Sequence, residues 1–258
     1  MLPNRCSQTG GHVETDRVIL ITGASSGVGL SLTHHLAGRF HVLAAARSLE
    51  KLHAEFGKNP DVSIYGMDLA DQDATKALLD TIVAQHESIA YVINNAGVNV
   101  AGTLEALEDA DMQRSLQVNA ISPALIMRRL LPQMKARDFG RVINMTSGAP
   151  LNCFPGYSAY SASKGALNAL TVTAARECAE YNIKINLMSP GPVKTNMAPN
   201  GPLDPSVCHP TVDYLLSLDA DGPTGRFFWL GYEIPLFPIL EGIEWLEGRA
   251  DERYRRAF

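Results

Sequence analysis

A chain of 258 residues, 46% hydrophobic and 19% charged, has room for one sizeable core but not for two ordinary domains. Its formal net charge of −5 argues against a nucleic-acid binder driven by phosphate neutralisation. No apolar run reaches the ~18 residues of a membrane-spanning helix, so no membrane span is expected.

Residues 1–16 are polar and irregular and read as a flexible leader, not a secretion signal. The run 17–22 (RVILIT) is continuously apolar, as a strand buried on both faces of a parallel sheet would be. Further strands are expected at 41–46, 62–67, 91–94, 142–146 and 184–188, and helices at about 27–38, 48–57, 71–87, 107–137 and 157–181. Such alternation implies an α/β fold, a doubly wound parallel sheet in a single domain over 17–234. Four prolines and a glycine break any continuous helix over 196–210. Because this stretch follows a strand end, it is expected to be a mobile substrate-covering segment; a plain surface connection is the alternative. The run 224–234 resembles a last strand. Beyond it, in the extension 235–258, Ile239, Ile243, Trp245 and Leu246 could share one helical face that covers the pocket, packs on a neighbour or finishes the core.

The cysteines Cys6, Cys153, Cys178 and Cys208 lack C-x-x-C spacing, which suits free thiols and a cytoplasmic location. His34 and His35 would face apart on a helix with no partner carboxylate in view, so no metal site is expected.

Two patterns carry chemistry. Thr22-Gly23-Ala24-Ser25-Ser26-Gly27-Val28-Gly29 follows the first strand and opens a helix. Glycines there permit a tight turn and a close approach of backbone N–H groups to a pyrophosphate, helped by the helix dipole. Gly29 would also let the helix lie close on the strand. In the second pattern, Tyr160 and Lys164 stand four residues apart, on one face of a helix, with Ser147 upstream. A cation ~4 Å from the phenol would favour the phenolate by roughly 4 kcal/mol at an effective dielectric near 20, pulling a pKa near 10 downward. Y-x-x-x-K pairs are also common on exposed helices, so the rest of the chain must decide.

T-G-A-S-S-G-V-G, N-N-A-G at 94–97, V-N-A at 118–120, Ser147, Y-S-A-S-K at 160–164 and S-P-G-P-V-K-T at 189–195 together resemble the short-chain dehydrogenase/reductase family, in its single-domain branch of about 250 residues. The resemblance covers roughly 17–232 and implies a Rossmann-like fold and hydride transfer between NAD(P) and an alcohol or carbonyl. Position by position, it implies that Asn119 holds a relay water, Ser147 donates to the substrate oxygen and Tyr160 is the general acid/base. Lys164 would bind the nicotinamide ribose and lower the phenol's pKa. Asn119 as a helix brace and Ser147 as a strand cap are the plainer alternatives. For the cofactor, the family's pattern points to Gly23, Ser25, Ser26, Gly27, Val28, Gly29, Asp68, Leu69, Asn95, Ala96, Gly97, Pro190, Gly191, Val193 and Thr195, besides Tyr160 and Lys164. Asn94 would tie adjacent strands together.

NAD-preferring relatives usually carry an acidic residue at the end of the second strand. Here Ala46 stands there and Arg47 follows, so NADP(H) is expected over NAD(H); an Arg47 that only caps the next helix is the alternative. Near the pocket, Ala149, Cys153, Phe154, Tyr157, Pro192 and Met197 are apolar to aromatic, without an evident cation for an anionic substrate. They favour a moderately hydrophobic ketone, aldehyde or secondary alcohol. A homodimer or homotetramer is expected through the helices 107–137 and 157–181. The alternative function is an NADP(H)-binding regulatory or scaffold protein without turnover.

Overall fold

The computed structural model describes residues 17–86, 88–237, 243–244 and 249–253. β1 (Val18–Thr22) pairs in parallel with β2 (His41–Ala46) on one side and β4 (Tyr91–Asn94) on the other. β3 (Val62–Gly66) extends the sheet past β2, and β5 (Gly140–Met145), β6 (Ile183–Ser189) and β7 (Phe227–Trp229) extend it past β4, all in parallel. β8 (Tyr232–Ile234) closes that edge antiparallel to β7, giving the order β3-β2-β1-β4-β5-β6-β7-β8. A chain that winds outward from β1 in both directions is the doubly wound fold the alternation implies.

The apolar run of β1 has the burial expected of it. Ile19 and Ile21 join the core on one face and Val18 and Leu20 the core on the other. α1 (Gly27–Leu36) and α2 (Leu49–Phe56) cover the first face; α3 (Gln72–Gln85) and α5 (Ser122–Ala136) contribute to the second. Asn94 Nδ2 donates to Asn144 Oδ1 at 2.7 Å, joining β4 to β5 as expected. No helix among the described residues is long and apolar enough to cross a membrane.

Several expectations are corrected. The stretch 107–137 is not one helix: α4 (Asp109–Leu116) and α5 are joined by a π turn, Gln117–Ile121, in which the Ser122 N–H reaches back to the Gln117 carbonyl. The extra residue rotates everything after it, and Asn119 lies inside that turn. A short helix, α6 (Ala149–Asn152), precedes α7 (Ser158–Glu177). The prolines of 196–210 do not keep the whole stretch irregular. Pro205 opens a 3-10 turn, Pro205–Cys208, and Pro210 sits in the first turn of α8 (His209–Leu216), where the missing N–H costs nothing. Cys208 is fully buried, and burial pushes its thiol up to about 12.

The expected single last strand is a hairpin. Leu230 (φ 46°) and Gly231 (φ 83°) form a two-residue loop with both residues left-handed, which suits the sheet's twist. Nor are the histidines without carboxylates. His34 Nε2 lies 2.7 Å from Glu55, and His35 Nε2 lies 2.9 Å from Asp213, which Arg39 also grips. His35 stacks on His209, whose Nε2 meets Ser31 Oγ at 2.8 Å, so α8 is fastened to α1. Of the proposed C-terminal helical face, Ile243 instead begins a two-residue strand, Ile243–Glu244, paired antiparallel with Arg249–Ala250. Ile239, Trp245, Leu246 and residues 1–16 lie outside the described residues.

Candidate active site

A cavity of about 600 Å³ opens at the carboxyl ends of the parallel strands, from Thr22 and Gly23 after β1 to Pro190 after β6. That is where the reversal of strand order on either side of β1 leaves a crevice.

At its centre is the glycine turn. Ser26, the N-cap of α1, makes no side-chain cap, so the first-turn N–H groups have no side-chain acceptor; Ser25, Ser26, Gly27 and Val28 line the cavity. α3 differs, because the Asp71 carboxylate accepts from Asp73 and Asp71's neighbour-but-two, Ala74. A Cβ on Gly29 would fall 2.2 Å from the Gly23 carbonyl oxygen, so only glycine lets the helix meet the strand. On Gly27 a Cβ would lie 2.9 Å from the Thr195 methyl carbon, which brings the 190–195 segment against the turn. An uncapped helix N-terminus with glycine-cleared space fits a pyrophosphate. Thr22 Oγ1 accepts from the N–H groups of Asn95 and Ala96, and Asn95 Nδ2 donates to the Thr22 carbonyl at 2.9 Å, locking the two loops together.

On one side of the turn the lining comprises Arg47, Asp68 and Leu69, together with Ser48, Lys51, Ala70 and Arg114, which the sequence did not single out. Lys51 is four residues after Arg47, in the first turn of α2, and was legible as a second cation close by. Arg114 qualifies the expectation of a cavity without a further cation. It lies on α4, just ahead of the π turn, where Gln117 and Ser122, the first residue of α5, donate to the Leu69 carbonyl and tie the turn to the loop after β3.

On the other side lie Tyr160 and Lys164, near the start of α7. Lys164 is 4% exposed; its ammonium donates to the Met145 carbonyl at 2.7 Å and stands 6.0 Å from the centre of the Tyr160 ring. Burial lowers Lys164 to about 8. Tyr160 is shifted upward, first by burial, with the Ser147 hydrogen bond opposing and Tyr157 adding. The expected downward pull of the lysine is not what governs the phenol, because desolvation acts on both groups and favours their neutral forms. Gly97 faces the same space: a Cβ there would meet Asn119 Oδ1 at 3.2 Å, Lys164 Nζ at 3.5 Å and Met197 Cε at 3.9 Å.

The Asn119 amide is fully engaged. Its Oδ1 accepts from Val98 N, and its Nδ2 donates to the Val98 carbonyl and to Ser163 Oγ, all within 2.9 Å. Ser163 Oγ in turn donates to the Tyr160 carbonyl. The side chain therefore braces the start of α7, the plainer of the two readings.

The expected substrate residues divide. Met197, with Thr195 and Asn196, lines the cavity, but Ala149, Cys153, Phe154 and Tyr157 do not. Ala149 N–H donates to Ser147 Oγ at 3.1 Å, turning α6 away behind the serine. Phe154 and Tyr157 stand beside Tyr160 as a ladder of edge contacts, with ring centres 6.5 Å and then 6.3 Å apart. Of the other expected residues, Pro190 and Thr195 form part of the cavity wall, whereas Ser147, Gly191 and Val193 do not.

Such a fold, with an anion-ready glycine turn in one cavity with a buried lysine and a tyrosine, defines a dinucleotide-dependent oxidoreductase. The family model described as short chain dehydrogenase matches residues 17–204, and the chain belongs to the short-chain dehydrogenase/reductase family. A dehydrogenase/reductase SDR family protein 7-like from Anopheles gambiae is 36% identical over 196 residues, 71% of this chain and 61% of the relative, so the match spans about three-fifths of that protein. Trans-4-hydroxycyclohexanecarboxylate dehydrogenase from Sinomonas cyclohexanicum is 32% identical over 70% of this chain and 74% of its own. Among solved structures, the NADPH-bound carbonyl reductase from chicken fatty liver aligns with a TM-score of 0.76 at 26% identity, over 86% of this chain and 99% of that one. A 4-hydroxyisoleucine dehydrogenase complexed with NADH aligns with a TM-score of 0.77 at 26% identity, over 83% of this chain and 96% of that one.

Proposed function

We propose that the chain reduces the carbonyl of a small, moderately hydrophobic ketone or aldehyde with NADPH in preference to NADH, or runs the reverse oxidation. The observation that carries this is the meeting of Tyr160 and Lys164 in one cavity with the uncapped N-terminus of α1. The glycine turn and the first N–H groups of α1 hold the pyrophosphate, and Asp68, Leu69 and the Asn95–Gly97 backbone bed the adenosine half. Pro190, Gly191, Val193 and Thr195 support the nicotinamide half, with Lys164 at its ribose. When bound, that ring supplies the hydride or accepts it. Tyr160 gives the oxygen its proton or takes it away, and Ser147 orients that oxygen by hydrogen bonding. Since the Asn119 side chain is engaged by Val98 and Ser163, any relay water falls to the backbone of the π turn.

The segment 196–204 covers the substrate, with Met197 lining the cavity, while Phe154 and Tyr157 back the Tyr160 ring from outside it. An apolar groove along α5 and α7, lined by Met127, Leu131, Leu170 and Ala174, supports pairing of two copies through those helices. A panel of ketones, aldehydes and secondary alcohols, followed through the loss or gain of NADPH absorbance, tests the reaction. An NADPH-binding chain that turns over none of them would be the scaffold alternative.

Cofactor preference rests on Arg47, with Lys51 beside it and no acidic residue at the end of β2. Pairing a guanidinium with a 2′-phosphate contributes about 1.5–3 kcal/mol, so Arg47→Ala should lower kcat/KM for NADPH by about 10- to 100-fold. The value for NADH should change little. Equal use of the two cofactors by the wild type would end the preference.

A further inference from the structure

The indole of Trp229 stands against the turn that carries the chain past the nicotinamide end of the cavity. Trp229 ends β7 and pairs in register with Ser189, the last residue of β6. The chain then turns through Pro190, Gly191 and Pro192. Gly191 has φ +72°; its N–H donates to Ser189 Oγ, and its carbonyl accepts from Val193 N–H. A Cβ on Gly191 would fall 2.6 Å from Trp229 Nε1 and 3.5 Å from Cδ1, so the edge of the indole occupies the place of the missing side chain. At its far end the same segment is stopped by the Thr195 methyl group against Gly27. The Trp229 backbone is fixed by the tight Leu230-Gly231 loop, which returns the chain at once and pairs Tyr232 directly opposite it, while the residue itself stays 38% exposed.

We infer that Trp229 is a positioning residue for hydride transfer: its ring backs Gly191 and so fixes the path of the Pro190–Val193 backbone beneath the nicotinamide. It lines neither the cavity nor the glycine turn, and acts through Gly191. Leu203 ties the Pro192–Lys194 stretch from one side through backbone hydrogen bonds, and at Gly191 itself, where no side chain can pack, the flat ring supplies the restraint. The inference rests on the cofactor reading above, and its test separates the two halves of the cofactor.

In the full-length chain, Trp229→Ala should weaken NADPH binding several-fold and lower kcat by about ten-fold, since small misplacements of reacting groups cost rate steeply. Binding of 2′,5′-ADP, which carries only the adenosine half, should stay within about two-fold of wild type, consistent with an intact fold and glycine turn. Trp229→Phe, which keeps a flat ring at that place, should recover at least half of the lost kcat. Three results would overturn the inference: an alanine variant with wild-type kcat and NADPH affinity, an equal loss for 2′,5′-ADP and NADPH, or no recovery with phenylalanine. A wild-type chain that bound neither nucleotide would overturn the cofactor reading itself, and this inference with it.

Discussion

Tyr160→Phe should lower turnover by about 10³-fold while changing the affinity for NADPH by less than about two-fold. The substitution removes one oxygen and leaves the ring, so the edge contact with Tyr157 and the packing at the start of α7 persist. What is lost is the phenol hydroxyl with its proton, at a residue that lines the cavity. Burial holds the Tyr160 phenol above its ordinary value, so at neutral pH it is a protonated group facing the cavity, the form a carbonyl reduction needs. Stopped-flow binding of NADPH and steady-state turnover, measured on the same preparation, separate the two effects. A variant that kept more than about a tenth of wild-type turnover would remove Tyr160 from the proton-transfer role.

The sequence makes the sheet legible for a physical reason: a strand buried on both faces is apolar through its middle, as 18–21 and 91–93 are. The glycine turn is legible too, since Gly29 has no tolerable alternative when the Gly23 carbonyl would be 2.2 Å from its Cβ. The π turn at Asn119 was hidden, because a single inserted residue hardly disturbs the apolar period of a long amphipathic stretch. α8 was hidden by its own Pro210, which breaks a helix interior but is welcome in a first turn. His35 and Asp213 are 178 positions apart, and nothing local pairs them. Lys51 could have been found from its four-residue offset from Arg47. The direction of the Tyr160 shift could not: spacing puts two side chains on one face, but burial decides which protonation states that face favours.

The same point makes Lys164→Met the sharper test of the site. A lysine ordinarily titrates near 10.5, and here burial lowers it to about 8. The folded state therefore binds its proton less tightly than the unfolded chain does. Below pH about 8 the protonated ammonium destabilises the fold in full, and the penalty is relieved as pH rises from about 8 to 10.5, where stability increases. The shift corresponds to an effect on the order of 3 kcal/mol, and loss of the ammonium's hydrogen bond to the Met145 carbonyl takes back about 1.5–3 kcal/mol of any gain from removing the charge. Lys164→Met should thus be inactive yet at least as stable as wild type at pH 7, by up to about 1.5 kcal/mol, an advantage that fades by pH 10. Urea midpoints at the two pH values measure it; a methionine variant less stable than wild type at pH 7 would refute the buried-charge account. In the wild type the same titration should appear as a fall in reductive kcat/KM above pH about 8, as Lys164 loses the proton that the site needs at the ribose and the relay. An ammonium that costs the fold stability throughout the neutral range does not serve packing, so its removal should separate stability from activity.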